Sequence, residues 1–221
     1  MRDRTDGPRA LRAACAPWGL GDLTQAEQRQ LELGSALMRT MLLFLAAARA
    51  FGFAAVMEHP QEPEWAPGAP SCWKLPEMRA LVASGHVQRV HLDQCCCGAP
   101  WRKPTCLLAV RMPELADAVA ALPGGGRCNA ALGHSHVSLL GRSTEGHFLT
   151  APAKTYNGEM CRVIAGAALG ASRRLLAAHR GVRPCERPLT PEFERLCVPV
   201  DWYDPGSWAA WSPDRAWHRG V

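Results

Sequence analysis

Apolar positions along this chain follow two rhythms, one helical and one strand-like, and their order sets the expected elements. Leu31, Leu37, Met38, Met41, Leu42 and Leu45 recur at helical spacing and form an apolar stripe. The stripe opens behind Thr24-Gln25-Ala26-Glu27, a capping box in which hydroxyl and carboxylate each satisfy an orphan backbone N–H. A core-facing helix is therefore predicted over residues 24–49. After Gly52, Phe53-Ala54-Ala55-Val56-Met57 is short and apolar on both faces, as strands of buried parallel sheets are. Residues 75–82 read as a short helix with proline in its first turn. Residues 87–92, stopping at Asp93, and 106–110 read as two strands flanking an irregular loop. A helix over 113–122 stops at Gly124-Gly125-Gly126, 137–140 reads as a strand, and a last helix runs from Ala153 or Asn157 to His179.

That order implies an α/β fold, a sheet covered by helices with irregular termini. Residues just past the carboxyl ends of such strands line the crevice where chemistry happens. Residues 1–23 lack periodicity and form an extended lead-in, 24–181 the folded domain, and 182–221 a tail rich in proline and tryptophan. The tail, with Trp202, Trp208, Trp211 and Trp217, is either poorly ordered or docked by its aromatics.

Composition narrows the class. A chain of 221 residues, 48% apolar, can bury one good core. Its net charge of +5, with arginines spread along the chain, permits contact with nucleic acid without requiring it. Nothing in the pattern sets an oligomeric state. The ten cysteines follow a charged start, MRDRTDGPRALR, with no apolar signal core. Free thiols in a reducing, intracellular compartment, nuclear or cytoplasmic, are the expectation. The longest apolar stretch, residues 38–56, is broken by Arg39, Thr40, Arg49 and Gly52, so no membrane span is expected.

Three groups of residues could carry chemistry. Glu58, in Met57-Glu58-His59-Pro60, stands at a strand end as an acid able to bond a base or a substrate amide, or simply caps the next turn. Asp93 sits where many α/β enzymes keep a catalytic carboxylate, with Lys103 and Thr105 placed to meet a phosphate or carboxylate. Equally, Asp93 could cap loop amides and pair with Lys103. An acid pair of Glu58 and Asp93, as in a nuclease, is the enzymatic extreme of these readings. The third group is soft: Cys95, Cys96, Cys97, Cys128, His134 and His136. His-x-His preceded by a cysteine supplies three zinc ligands and Cys95 a fourth, although the spacing matches no familiar finger or ribbon. Buried thiols beside two loop histidines, without metal, are the plainer reading. No G-x-G-x-x-G, P-loop, G-x-S-x-G or H-E-x-x-H is present.

In order, these motifs resemble a family of degenerate methyltransferase-like domains embedded in retroelement polyproteins of dinoflagellates and basidiomycete fungi. The resemblance rests on Gly7, Pro8, Leu11 and Arg12, on Trp18-Gly19-Leu20, on Glu58-His59-Pro60 and on Ser71-Cys72-Trp73. It continues through Asp93-Gln94-Cys95 with Gly98, Lys103-Pro104-Thr105, Cys128 with His134 and His136, and Tyr156 with Cys161. It covers residues 7–170, and Asp-Gln-Cys followed by Lys-Pro-Thr is its most specific part.

The family's Glu-Asn-Pro strand end is similar to the Glu-Asn-Val motif of cytosine-C5 DNA methyltransferases, whose glutamate contacts the flipped cytosine. By that resemblance Glu58 is a base-contacting acid, His59 stands where the family has asparagine, and the sheet is a partial Rossmann-like one. Complete relatives bind S-adenosylmethionine in a glycine-rich loop and attack with a Pro-Pro-Cys thiolate, both upstream of the Gly-Pro-x-x-Leu-Arg lead-in. The expectation is the carboxyl-terminal part of such a fold, without cofactor in this chain and inactive alone, with nucleic acid as the partner. A zinc-stabilised interaction module is the alternative.

Overall fold

A computed structural model describes residues 9–178 apart from 64, 65, 67, 140, 142, 143, 145, 146, 148 and 151. The aromatic tail expected over 182–221 lies outside the described residues, as do Leu140 of the expected strand and His179 of the last helix. The chain divides into two compact units. The first holds the described residues up to Phe44 and Glu62–Ala80; the second holds Leu45–Gln61 and the described residues from Leu81 onward.

In the first unit the capping box forms as expected. The Glu27 carboxylate accepts the Thr24 N–H at 2.8 Å and the Thr24 hydroxyl accepts the Glu27 N–H at 3.4 Å. Arg9 adds a bond to Glu27 at 2.7 Å, and together these hold the Glu27 carboxyl down at about 2. Helix α1 (Gln25–Phe51) follows, and in this unit it buries Leu31, Ser35, Arg39 and Leu42. The Arg39 guanidinium lies over Trp18 at 4.6 Å, which explains how a cation can sit in a core-facing stripe. Helix α2 (Pro76–Ala83) contributes Glu77, whose carboxyl is pushed up by burial against the opposing pull of Arg39. By length and composition α1 is also able to cross a membrane, the one such helix among the described residues. A core helix passes the same test, and Arg39, Thr40 and Arg49 lie within this one, with Gly52 just past its end.

The second unit is built on strands β1 (Ala55–Pro60), β2 (Val87–Asp93) and β3 (Pro104–Val110) in the order β1-β3-β2. Mixed helix and strand was expected; a parallel sheet was expected too, and the pairing is antiparallel on both sides of β3. The physical reason is which strand is enclosed. Residues Thr105 to Val110 of β3 are all buried because β3 has neighbours on both edges, whereas in β1 only Met57 is buried. The apolar run at 53–57 thus belongs to a half-buried edge, where apolar content on both faces says nothing of direction.

One sheet face carries Val90, Leu92, Leu107 and Ala109 into a core with Met112 and with Leu115 and Val119 of α3 (Glu114–Ala120). Met160, Ala167 and Ala171 of α4 (Gly158–Ala178) complete it. The expected strand at 137–140 is not formed, since Val137 to Leu139 carry no strand. Val137 instead donates its N–H to the Pro100 carbonyl at 2.7 Å.

Candidate metal centre

Where β2 ends, the chain makes a 3₁₀ turn over Gln94–Cys97. Gly98, at φ 85, closes it in the left-handed region that glycine takes without steric cost. The turn satisfies its own backbone: Gly98 N–H donates to Cys95 at 2.9 Å and Ala99 N–H to Gln94 at 3.2 Å. Gln94 is fully buried and welds the turn to its surroundings. It donates to the Thr105 hydroxyl at 3.3 Å and accepts the Trp101 indole N–H at 3.3 Å. The Asp-Gln-Cys motif contains it, but no role is legible for the glutamine itself, because a glutamine after a strand end reads as an ordinary loop residue.

This turn fixes Cys95, buried at the root of the site. The other ligand candidates arrive from the loop after α3. There the chain passes through Gly126 (φ 78), where an added Cβ would meet Val119 Cγ1 at 2.6 Å. Two residues later the Cys128 N–H is accepted by the Asp93 carboxylate at 2.9 Å. Cys128 Sγ then lies 3.4 Å from His136 Nε2 and 3.7 Å from His134 Nε2, and the two imidazole rings meet edge to face at 4.7 Å. One ligand atom from each of Cys95, Cys128, His134 and His136 falls within 4.8 Å of all the others. Four residues from two distant stretches of chain thus form a group that could hold a metal ion.

Two of the separations match an edge of a zinc tetrahedron. Zinc bonds of about 2.3 Å to sulfur and about 2.0 Å to nitrogen at the tetrahedral angle put sulfur and nitrogen roughly 3.6 Å apart. The two Cys128 to histidine separations, 3.4 and 3.7 Å, bracket that edge. Electrostatics set a cost that a bound cation would have to offset. Burial, and after it the hydrogen bond and charge of Cys128, push the Cys95 thiol up to about 12. A thiolate there needs a cation to exist at neutral pH. The neighbouring thiols are different: Cys97, pushed up to about 11 by burial, belongs to the apolar core, and Cys96 is buried and raised for the same reason.

The remaining predicted residues divide. Asp93 is 1% exposed, bonded to Cys128 and to Arg102 Nε at 3.3 Å; Arg102, rather than the expected Lys103, is its cation. Lys103 Nζ donates to the Ala153 carbonyl at 3.2 Å and lies 5.9 Å from the Tyr156 ring. Thr105 is fully buried, its hydroxyl donating to Lys103 O at 3.1 Å while accepting from Gln94. Glu58 lies inside β1, not past its end, since the strand runs on to Pro60 opposite Thr105. Proline is tolerated there because β1 is an edge. Glu58 Oε2 accepts the Tyr156 hydroxyl at 2.8 Å, and Oε1 is buried with no partner among the described residues. His59 Nδ1 lies 3.2 Å from the Pro60 carbonyl.

Glu58 and Asp93 share one end of the sheet but not one face. Glu58 is in register with Leu107 and Val90, and Asp93, three residues beyond Val90, points the other way by strand alternation. The two carboxylates do not form an acid pair.

No family model, curated protein or solved structure matches this chain.

Proposed function

We propose that this chain is a zinc-stabilised interaction module whose metal is held by Cys95, Cys128, His134 and His136. The observation that carries this reading is the convergence of their four ligand atoms within 4.8 Å. Two thiols and two imidazoles are a donor set that favours zinc over the hard cations. With all four positions supplied by protein, a bound ion has no open site for substrate, so its work is structural. It would pin the exposed His134 and His136 segment to the buried turn at Cys95. Thiol ligands need reducing surroundings, and the eight cysteines among the described residues are all free, which supports an intracellular setting. Elemental analysis of the purified protein should give about one zinc per chain, lost in Cys128→Ser. Well under one equivalent in wild type ends the proposal.

A second reading has one observation behind it. The buried, unpartnered Glu58 Oε1 and nearby Tyr156 and Lys103 suit a retroelement-derived, methyltransferase-like domain that contacts a nucleobase without catalysis of its own. Filter binding of single-stranded DNA, weakened in Glu58→Ala, is its test; equal retention by both proteins removes it.

A further inference from the structure

At the opposite end of the sheet from the metal ligands, the chain enters β2 through His86 and leaves β3 through Arg111. Val87 pairs with Val110 at this end and Asp93 with Pro104 at the other, roughly 20 Å away at strand spacing. His86 (φ 58) and Arg111 (φ 49) are the only non-glycine residues with positive φ among the described residues. They are locked to each other, the Arg111 N–H donating to the His86 carbonyl at 2.7 Å. Backbone conformations of this kind persist where the surroundings enforce them, and they concentrate at ligand clamps. Both residues line a cleft of about 360 Å³.

The lining of the cleft has a chemical sense. Val87, Met112 and Pro113 make an apolar wall, and Arg111 and Arg174 make a cationic end. Arg174 is spoken for: it grips Glu114 at 2.6 and 3.2 Å and donates to the Arg111 carbonyl at 2.7 Å, which holds the Glu114 carboxyl below its usual range. Arg111 is not. Its Nε donates to the Arg49 carbonyl at 3.2 Å, while its two terminal nitrogens have no acceptor among the described residues. The terminal donors of Arg111 form the fork that matches a planar or tetrahedral anion. The volume lies at the small end of known ligand sites.

We propose that this cleft binds a small organic anion, a carboxylate or phosphate monoester with an apolar body, clamped by Arg111. The site is independent of the metal centre and of the reading built on it.

The test is calorimetry at low ionic strength on the full chain, with benzoate, phenyl phosphate and neutral benzyl alcohol as probes. Benzoate or phenyl phosphate should bind saturably, the tighter of the two naming the anion, and benzyl alcohol at least about tenfold more weakly, given the worth of a charge-assisted bond. Arg111→Gly should weaken anion binding about tenfold or more while leaving the melting temperature unchanged or raised, because glycine takes φ 49 freely. Arg111→Asn, which also tolerates that region, should weaken binding in the same way and covers the case in which the glycine variant fails to fold. Absence of saturable binding by both anions, equal binding of benzyl alcohol, or undiminished binding by either folded variant overturns the proposal.

Discussion

The Asp93 carboxylate, 1% exposed at the end of β2, accepts the backbone N–H of Cys128 at 2.9 Å and so places a ligand that comes 35 residues later in the chain. A residue read as a catalytic acid thus supports a candidate metal ligand. Removing such supports costs roughly 10- to 100-fold in metal affinity. Asp93→Ala loses both the Cys128 and Arg102 bonds, whereas Asp93→Asn keeps one acceptor and turns an amide donor toward Arg102. The expected order of zinc affinity is wild type, then Asn, then Ala, read by competition with a chromophoric chelator. Identical affinities in all three proteins would remove Asp93 from the site.

The thiols set the pH behaviour. Cys95 without metal holds its proton up to about 12 against an ordinary value of 9.0, and Cys97 up to about 11. A folded-state value above the unfolded one means stabilisation that is complete below about pH 9 and lost as pH rises through the folded value. Metal-free protein is therefore expected to lose stability to urea progressively above pH 9. Metal binding displaces protons from its ligands and so runs the other way, tightening from pH 6 to pH 8. Cobalt(II) titrations followed by thiolate charge-transfer absorption would show affinity rising over that interval; a flat profile contradicts thiolate and imidazole ligation.

Tyr156→Phe deletes the one hydroxyl bonded to Glu58, leaving both carboxylate oxygens without a described partner. Because Tyr156 is 43% exposed, the expected cost is near the low end for an orphaned acceptor, about 1 kcal/mol in urea unfolding. The double change with Glu58→Leu, which removes the orphan as well, should cost less than the sum of the two single changes.

Gly126→Ala places a methyl group 2.6 Å from Val119 Cγ1 at φ 78, whereas Gly98→Ala, at φ 85, meets nothing within 4 Å. Both carry the left-handed penalty of about 1–2 kcal/mol, so the difference between them isolates the clash. Gly126→Ala should be the more damaging in thermal melts, and Val119→Ala should recover part of the loss. Equal effects would mean that α3 yields freely.

Helical spacing and capping chemistry were readable along the chain. Thr24 and Glu27 opened α1 where expected, and Asp93 marked the end of β2. All four residues of the cluster were nameable from a cysteine ahead of His-x-His with Cys95 added, although only the folded turn at Gly98 explains why Cys95 joins them rather than Cys96 or Cys97. Strand direction was not readable. An apolar run such as 53–57 looks the same whether its neighbour is parallel or antiparallel, and the pairing of Val56 with Ala109 depends on contacts far apart in sequence. The separation of Glu58 from Asp93 onto two faces was hidden for the same reason, since it depends on register. Arg111 drew no notice either, because a positive φ at arginine has no signature in composition or periodicity.

The register also dictates an order of assembly. Strand β2 reaches β3 across residues 94–103 alone, whereas β1 must wait for everything from 61 to 104 before Pro60 can meet Thr105. Short closures form first, and pairings between distant segments are slow. By loop length the hairpin that presents Cys95 is expected to close before the loop bearing the two imidazoles docks, so a bound ion would be a late fastener and not a nucleus. Such an ion would leave the refolding rate unchanged and act by slowing escape from the native state.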